Sequence, residues 1–138
     1  MIVDNILLDN LTAQAKASPR LRMNLDLRNS DADSSQRMLN AIEPGSVVPV
    51  HRHRKNSETV VVCRGKVREE FYDAEDNKTA EFVLEAGGEC PGIQVPMGQY
   101  HTLVCLEDGS VIFEAKDRPY DPVGTEEFLE GEYGIKVA

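Results

Sequence analysis

The sequence predicts one all-β domain, a small barrel or jelly roll with a short helix at its N-terminus. Eight short β-rich runs follow one another from residue 37 onward, punctuated by Gly, Pro and Asp turns. No gap between them is long enough for a crossover helix, which excludes a parallel βαβ sheet. At 138 residues, 41% hydrophobic and 28% charged, the chain can close one core without disulfide staples.

The elements follow in chain order. Leu7 or Leu8, Leu11 and Ala15 recur at helical spacing, Asp9 or Asn10 can cap the start, and Ser18-Pro19 stops the run. The polar stretch RNSDADSSQ (28–36) reads as a loop. Strands are then expected at Met38–Glu43, before Pro44-Gly45, and at Ser46–His53, before the polar turn Arg54–Ser57. The β-branched run Glu58–Arg64 ends at Gly65, and Lys66–Tyr72 ends at the turn-forming DAEDN. Ala80–Leu84, Gly92–Val95, His101–Leu106 and Ser110–Ala115 complete the set, with Gly87-Gly88, Pro96–Gly98 and Glu107–Gly109 between them. Residues 1–36 thus form a helix and cap segment packing on a barrel of residues 37–118, and the acidic tail 119–138 wraps the surface.

Charge and termini narrow the partners. Fifteen Lys and Arg against 24 Asp and Glu leave a net charge of −9, which repels a phosphate backbone and argues against nucleic acid. Residues 1–40 balance five Lys and Arg against five Asp, so the excess negative charge lies in residues 41–138. The N-terminus lacks the basic region of a secretory signal, and no run approaches the roughly 18 apolar residues of a membrane span. Cys63, Cys90 and Cys105 are odd in number and form no C-x-x-C pair, which argues against a disulfide framework or a thiolate zinc site. A reducing cytoplasm is the expected location, with each Cys a small hydrophobe.

All three histidines fall in two short segments. In an extended strand His51 and His53 project from the same face, and the polar turn after them lets Glu58 open the next strand beside the pair. His101, delivered by the turn Pro96-Met97-Gly98, comes over the same spot if the sheet closes. Three imidazoles and one carboxylate make a borderline nitrogen and oxygen site for one divalent transition metal such as Fe, Mn, Ni or Zn, with positions left for water or substrate. A tetrahedral zinc site is the other arrangement these four residues allow.

The first segment, Gly45 to Gly65, matches the cupin motif G-x5-H-x-H-x4-E-x6-G at every defined position. The second, Pro96-Met97-Gly98-Gln99-Tyr100-His101, matches the P-x-G-x-x-H core of the other cupin motif. It departs at both ends, where Cys90 replaces a Gly and Cys105 replaces an Asn. The stretches SPRLRMNLDLR (18–28), HRHRKNSET (51–59) and PMGQYHTLVCLEDGSVIFEAKDRPYDP (96–122) further resemble the WbuC-type cupin metalloproteins found with bacterial O-antigen genes. That resemblance implies a small jelly-roll cupin with an N-terminal cap and a bound transition metal held by His51, His53, Glu58 and His101. It names no reaction.

Around the four residues stand further candidates. Alternation puts Val60, Val62 and Arg64 on the face of Glu58, and Ile112, Glu114 and Lys116 on one face of their own strand. Tyr100, Glu114 and Lys116 are candidate catalytic groups, the alternative being packing or hydrogen bonding for the Tyr and surface charge for the other two. Arg20, Arg22 and Arg64 are candidate substrate-binding groups, the first two forming a positive spot suited to a carboxylate or phosphate or to pairing with the acidic body. The function expected is a metal-dependent cupin acting on a small polar molecule such as a sugar or sugar acid. Isomerase-like, hydrolase-like and dioxygenase-like chemistry all fit the ligand set. A non-catalytic binding or sensing module and a structural metal site are the alternatives. An open sandwich also offers an edge strand for homodimerisation.

Overall fold

The computed structural model describes residues 1–118 and the backbone of a short strand at Glu126–Phe128. Helix α1 (Asn5–Ala17) comes first. The strands are β1 (Arg22–Asp26), β2 (Ser35–Ile42), β3 (His51–His53), β4 (Glu58–Arg64), β5 (Lys66–Tyr72), β6 (Lys78–Glu85), β7 (Gly92–Val95), β8 (Tyr100–Cys105), β9 (Ser110–Asp117) and β10 (Glu126–Phe128). They form two five-stranded antiparallel sheets, β1-β2-β9-β4-β7 and β10-β3-β8-β5-β6. The fold is the jelly roll that the strand pattern predicts, and each of the eight expected runs carries a strand.

Alternation explains how one sheet has two buried faces. On β2, Leu39 and Ala41 point outward with Val111 of β9, and Leu8, Leu11 and Ala15 of α1 cover them. On the inner face, Ile42, Val60, Val62 and Ile112 meet Val67, Leu84, Leu103 and Cys105 of the opposite sheet. Burying apolar side chains at about 25 cal/mol per Å² is what holds the two sheets and the helix together. Gly65 links β4 to β5 at a φ of +87°, and a Cβ there would lie 2.2 Å from Ser110 Oγ, so only glycine fits.

Several local expectations give way. The helix begins earlier than Asp9 or Asn10, because the Asp4 side chain accepts a hydrogen bond from the Leu7 N–H and caps the first turn. Ser18 ends the helix as expected. Residues 22–26, within the cap segment, form β1, and the loop predicted over 28–36 ends two residues early, at the start of β2. The strand expected over Ser46–His53 shrinks to three residues, since Pro49 has no N–H to give a ladder. The behaviour predicted for the tail from residue 119 falls outside the described residues, apart from the backbone of β10, which pairs with β3.

Candidate metal centre

Strands from both sheets build the site. His51 and His53 sit two apart on β3, and His51 faces His101 directly across the β3–β8 ladder. Glu58 does not come from a strand beside β3. The polar turn after His53 crosses between the sheets, so Glu58 opens β4 in the opposite sheet and reaches the histidines across the barrel. Gly98, at a φ of +81°, turns the chain into β8, and its N–H donates to the His53 carbonyl at 2.8 Å. That bond ties the His101 turn to the His53 strand.

One donor atom from each of His51, His53, Glu58 and His101 lies within 4.8 Å of the others. Glu58 Oε2 is 3.4 Å from His101 Nε2 and 3.6 Å from His53 Nε2. These three atoms are buried and have no hydrogen-bond partner among the described residues. Buried polar atoms without partners are costly, by about 1–3 kcal/mol each, so three converging on one point mark a place built for something absent from the chain itself. A divalent cation fits that donor set.

The outer nitrogens are held as a metal ligand requires. His51 Nδ1 donates to the Pro49 carbonyl at 2.8 Å, which leaves Nε2 as the lone-pair nitrogen. His101 Nδ1 is hydrogen-bonded to Glu69 Oε1, a side chain only 1% exposed. This carboxylate orients the ring and raises its basicity, the usual outer partner of a ligating histidine. Glu69 is the residue in contact with the four candidates that the sequence reading missed. The signal was present: Val67 and Glu69 share a face of β5, so alternation puts a carboxylate on the core side.

Electrostatics separates the three imidazoles. Burial, aided by the charge of His101, pushes His51 down to about 3. Burial and Lys116 push His53 down to about 4, so both are neutral lone-pair donors at neutral pH. For His101 burial opposes the charged form, but the nearby carboxylates of Glu58 and Glu69, the latter hydrogen-bonded to Nδ1, prevail and raise it to about 10. Burial likewise opposes the Glu58 carboxylate, yet His101 and Lys116 hold it well below the usual range. Burial raises Glu69.

The four residues and Glu69 lie at the buried end of a cavity of about 440 Å³. Asn40, Leu103, Ile112, Glu114 and Lys116 line its walls, and Arg20, Arg22, Arg28 and Arg37 line its more exposed end. Burial, then the neighbouring Glu58, pushes Glu114 up to about 8, so it carries a proton at neutral pH. Arg28 pairs with Asp26 at 2.7 Å and Arg37 with Asp33 at 3.1 Å. Arg20 and Arg22 make no ion pair among the described residues; Arg22 Nη1 donates to the Val47 carbonyl at 2.9 Å.

Two candidates stand elsewhere. Register shifts between Val62 and Arg64, and this β-bulge takes Arg64 off the inner face that alternation predicted for it. Its guanidinium instead bonds Gly109 O at 2.9 Å, Asp9 Oδ1 at 2.6 Å and Thr12 Oγ1 at 3.0 Å, joining α1 to the barrel. Tyr100 does not line the cavity either. It packs against Val50 and Tyr72, with the Arg52 guanidinium 4.7 Å from its ring centre.

Comparison with known structures agrees with this architecture. CapF bound to the inhibitor 3-isopropenyl-tropolone superposes with a TM-score of 0.66 at 23% identity, over 78% of this chain and 31% of CapF. Oxalate oxidase in complex with the substrate analogue glycolate gives 0.61 at 14% identity, over 76% of this chain and 55% of that one. KdgF from Halomonas sp. gives 0.56 at 17% identity, over 75% of this chain and 84% of that one. The chain therefore spans about a third of the length of CapF and about half that of oxalate oxidase. At these identities the likeness is one of fold, the cupin jelly roll. No curated protein matches the sequence. Residues 3–84, more than half of the chain, match one described family, and the protein belongs to it: the domain of unknown function DUF6016.

Proposed function

We propose that this chain is a metal-binding cupin of the WbuC type that binds or acts on a small polar anion, of which a sugar acid is the best fit. The observation that carries the reading is the convergence of His53 Nε2, Glu58 Oε2 and His101 Nε2, all buried and without hydrogen-bond partners, beside His51 at the inner end of the cavity. His51, His53, Glu58 and His101 would hold one divalent transition metal. A bound cation would supply Lewis-acid polarisation of a ligand oxygen.

The residues around that point give the ligand its character. Arg20 and Arg22 at the exposed end favour a carboxylate or phosphate. Asn40, whose buried Oδ1 has no partner, suits a hydroxyl donor on the same molecule. Glu114, in the cavity wall, is a carboxyl that burial pushes toward its protonated form, and it would be the group to exchange a proton with a bound ligand. Two neighbours support this ligand class by name: CapF is described as a capsular polysaccharide assembling protein, and the oxalate oxidase was solved with the hydroxy acid glycolate.

The test is metal content. Protein purified without a polyhistidine tag and reconstituted in turn with Fe, Mn, Ni and Zn should bind about one equivalent of a divalent cation. His53→Ala should lose it while retaining the β-sheet circular dichroism of the parent. Stoichiometry near zero with every metal would overturn the reading.

A further inference from the structure

The third cysteine, Cys105, is buried in the core, whereas Cys63 and Cys90 are both exposed thiols. They stand 27 residues apart in sequence, yet both lie just past the paired end of the β4–β7 ladder. Glu58 faces Val95, Thr59 faces Gln94, Val60 faces Ile93 and Val61 faces Gly92. The pairing continues one step past the end of β7, where the Val62 N–H donates to the Pro91 carbonyl at 2.8 Å. The next pair in that register is Cys63 and Cys90.

Hydrogen-bond direction fixes the kind of pair. Peptide groups alternate their direction along an extended strand, so a bond from Val62 to Pro91 makes that a hydrogen-bonded pair. Cys90 accordingly turns its carbonyl the other way, to the Glu85 N–H at 3.0 Å. Carried one step further, that register sets Cys63, at the edge of the Val62–Arg64 bulge, opposite Cys90 in a non-hydrogen-bonded position, where Cα atoms of regular strands lie about 4.5 Å apart with side chains on one face. Disulfides span Cα separations of about 4.4–6.8 Å. Gly92 lets the two strands close just before this pair, since a Cβ there would lie 2.6 Å from the Val60 carbonyl. Cys90 is also the residue that replaces a glycine of the second cupin motif, and no role at the metal centre accounts for it.

We propose that Cys63 and Cys90 form a reversible dithiol–disulfide site on the outer face of the barrel, clipping the segment after β6 to β4. The co-reactant is a small disulfide of the glutathione type. One thiolate attacks it and expels one small thiol, leaving a mixed disulfide; the second thiolate displaces the other small thiol and closes the Cys63–Cys90 bond. Two protein thiols are oxidised, one small disulfide is reduced, and both protons leave on the two small thiols.

The full chain treated with oxidised glutathione, alkylated and digested should yield a linked peptide pair containing Cys63 and Cys90, lighter by two hydrogens, with no glutathione retained. Cys90→Ser should stop at the first step and hold glutathione on Cys63. Recovery of both cysteines as alkylated thiols, a wild-type chain that retains glutathione at either position, or covalent dimers in place of the internal bond would each overturn the proposal.

Discussion

At the scale of single residues the site divides into atoms that point inward and atoms that hold them there. His51 and His101 each spend their Nδ1 on a fixed acceptor, the Pro49 carbonyl and the Glu69 carboxylate, and so present Nε2 to the centre. Glu69→Gln keeps the shape and removes the charge. Outer partners of this kind typically contribute a factor of about 10–100 in metal affinity, and the substitution should weaken binding by that much in a competition titration against a chelator. An unchanged affinity would mean that Glu69 serves folding alone. The four inward residues were legible in the sequence because the spacing of His51, His53 and Glu58 is local and every histidine is accounted for. Glu69 was harder to see because it lies outside both motifs and acts only through His101. Arg20 and Arg22 were legible as a positive spot, and only the fold brings them to the cavity that holds His101.

Among elements, the bulge in β4 is the feature that most changes the assignment of roles. Straight alternation sends Arg64 inward with Val60 and Val62, but the shift beside Cys63 turns it toward Asp9 and Thr12 on α1. A bulge leaves no composition signal, and no period in the sequence announces this one. Arg64→Ala should therefore destabilise the chain by about 1–2 kcal/mol in urea, through lost hydrogen bonds, while leaving metal stoichiometry unchanged. Loss of metal without loss of stability would return Arg64 to the site. Strand β1 was missed for another reason: it is an edge strand of mixed polar residues, stabilised by its ladder to β2 and by the helix above it.

The turn between β1 and β2 is held by Asp33. It accepts backbone N–H bonds from Asn29 and Ser35 and pairs with Arg37, which together lower its pKa from 3.8 to about 2. Because the folded value lies below the unfolded one, this stabilisation is complete above about pH 4 and fades as pH falls toward 2. Asp33→Asn should thus melt below the parent at pH 7, with the gap closing across that acid range in thermal scans. A gap that persists unchanged at pH 2 would contradict the assignment.

For the whole molecule, two sheets with one buried seam explain both stability and site. The core side chains fill one part of the space between the sheets, and the cavity with its histidines occupies the rest. The chain as a whole carries a net charge of −9, yet the exposed end of its cavity is lined by four arginines. A cation bound inside and guanidinium groups outside would give an anion two points of attachment in an otherwise repelling surface. Arg20→Glu with Arg22→Glu should leave metal content at the parent level and weaken binding of a sugar acid such as galacturonate in calorimetry, an effect that shrinks at high salt. Equal binding by parent and variant would remove these arginines from the ligand site.

The central claim is that four residues from both sheets hold one metal, and crystals of the full chain grown with a divalent transition metal test it most directly by anomalous diffraction. The account predicts a single strong peak at about 2.0–2.2 Å from Nε2 of His51, His53 and His101 and from a carboxylate oxygen of Glu58. No peak among these residues, or a peak held by other side chains, would contradict it.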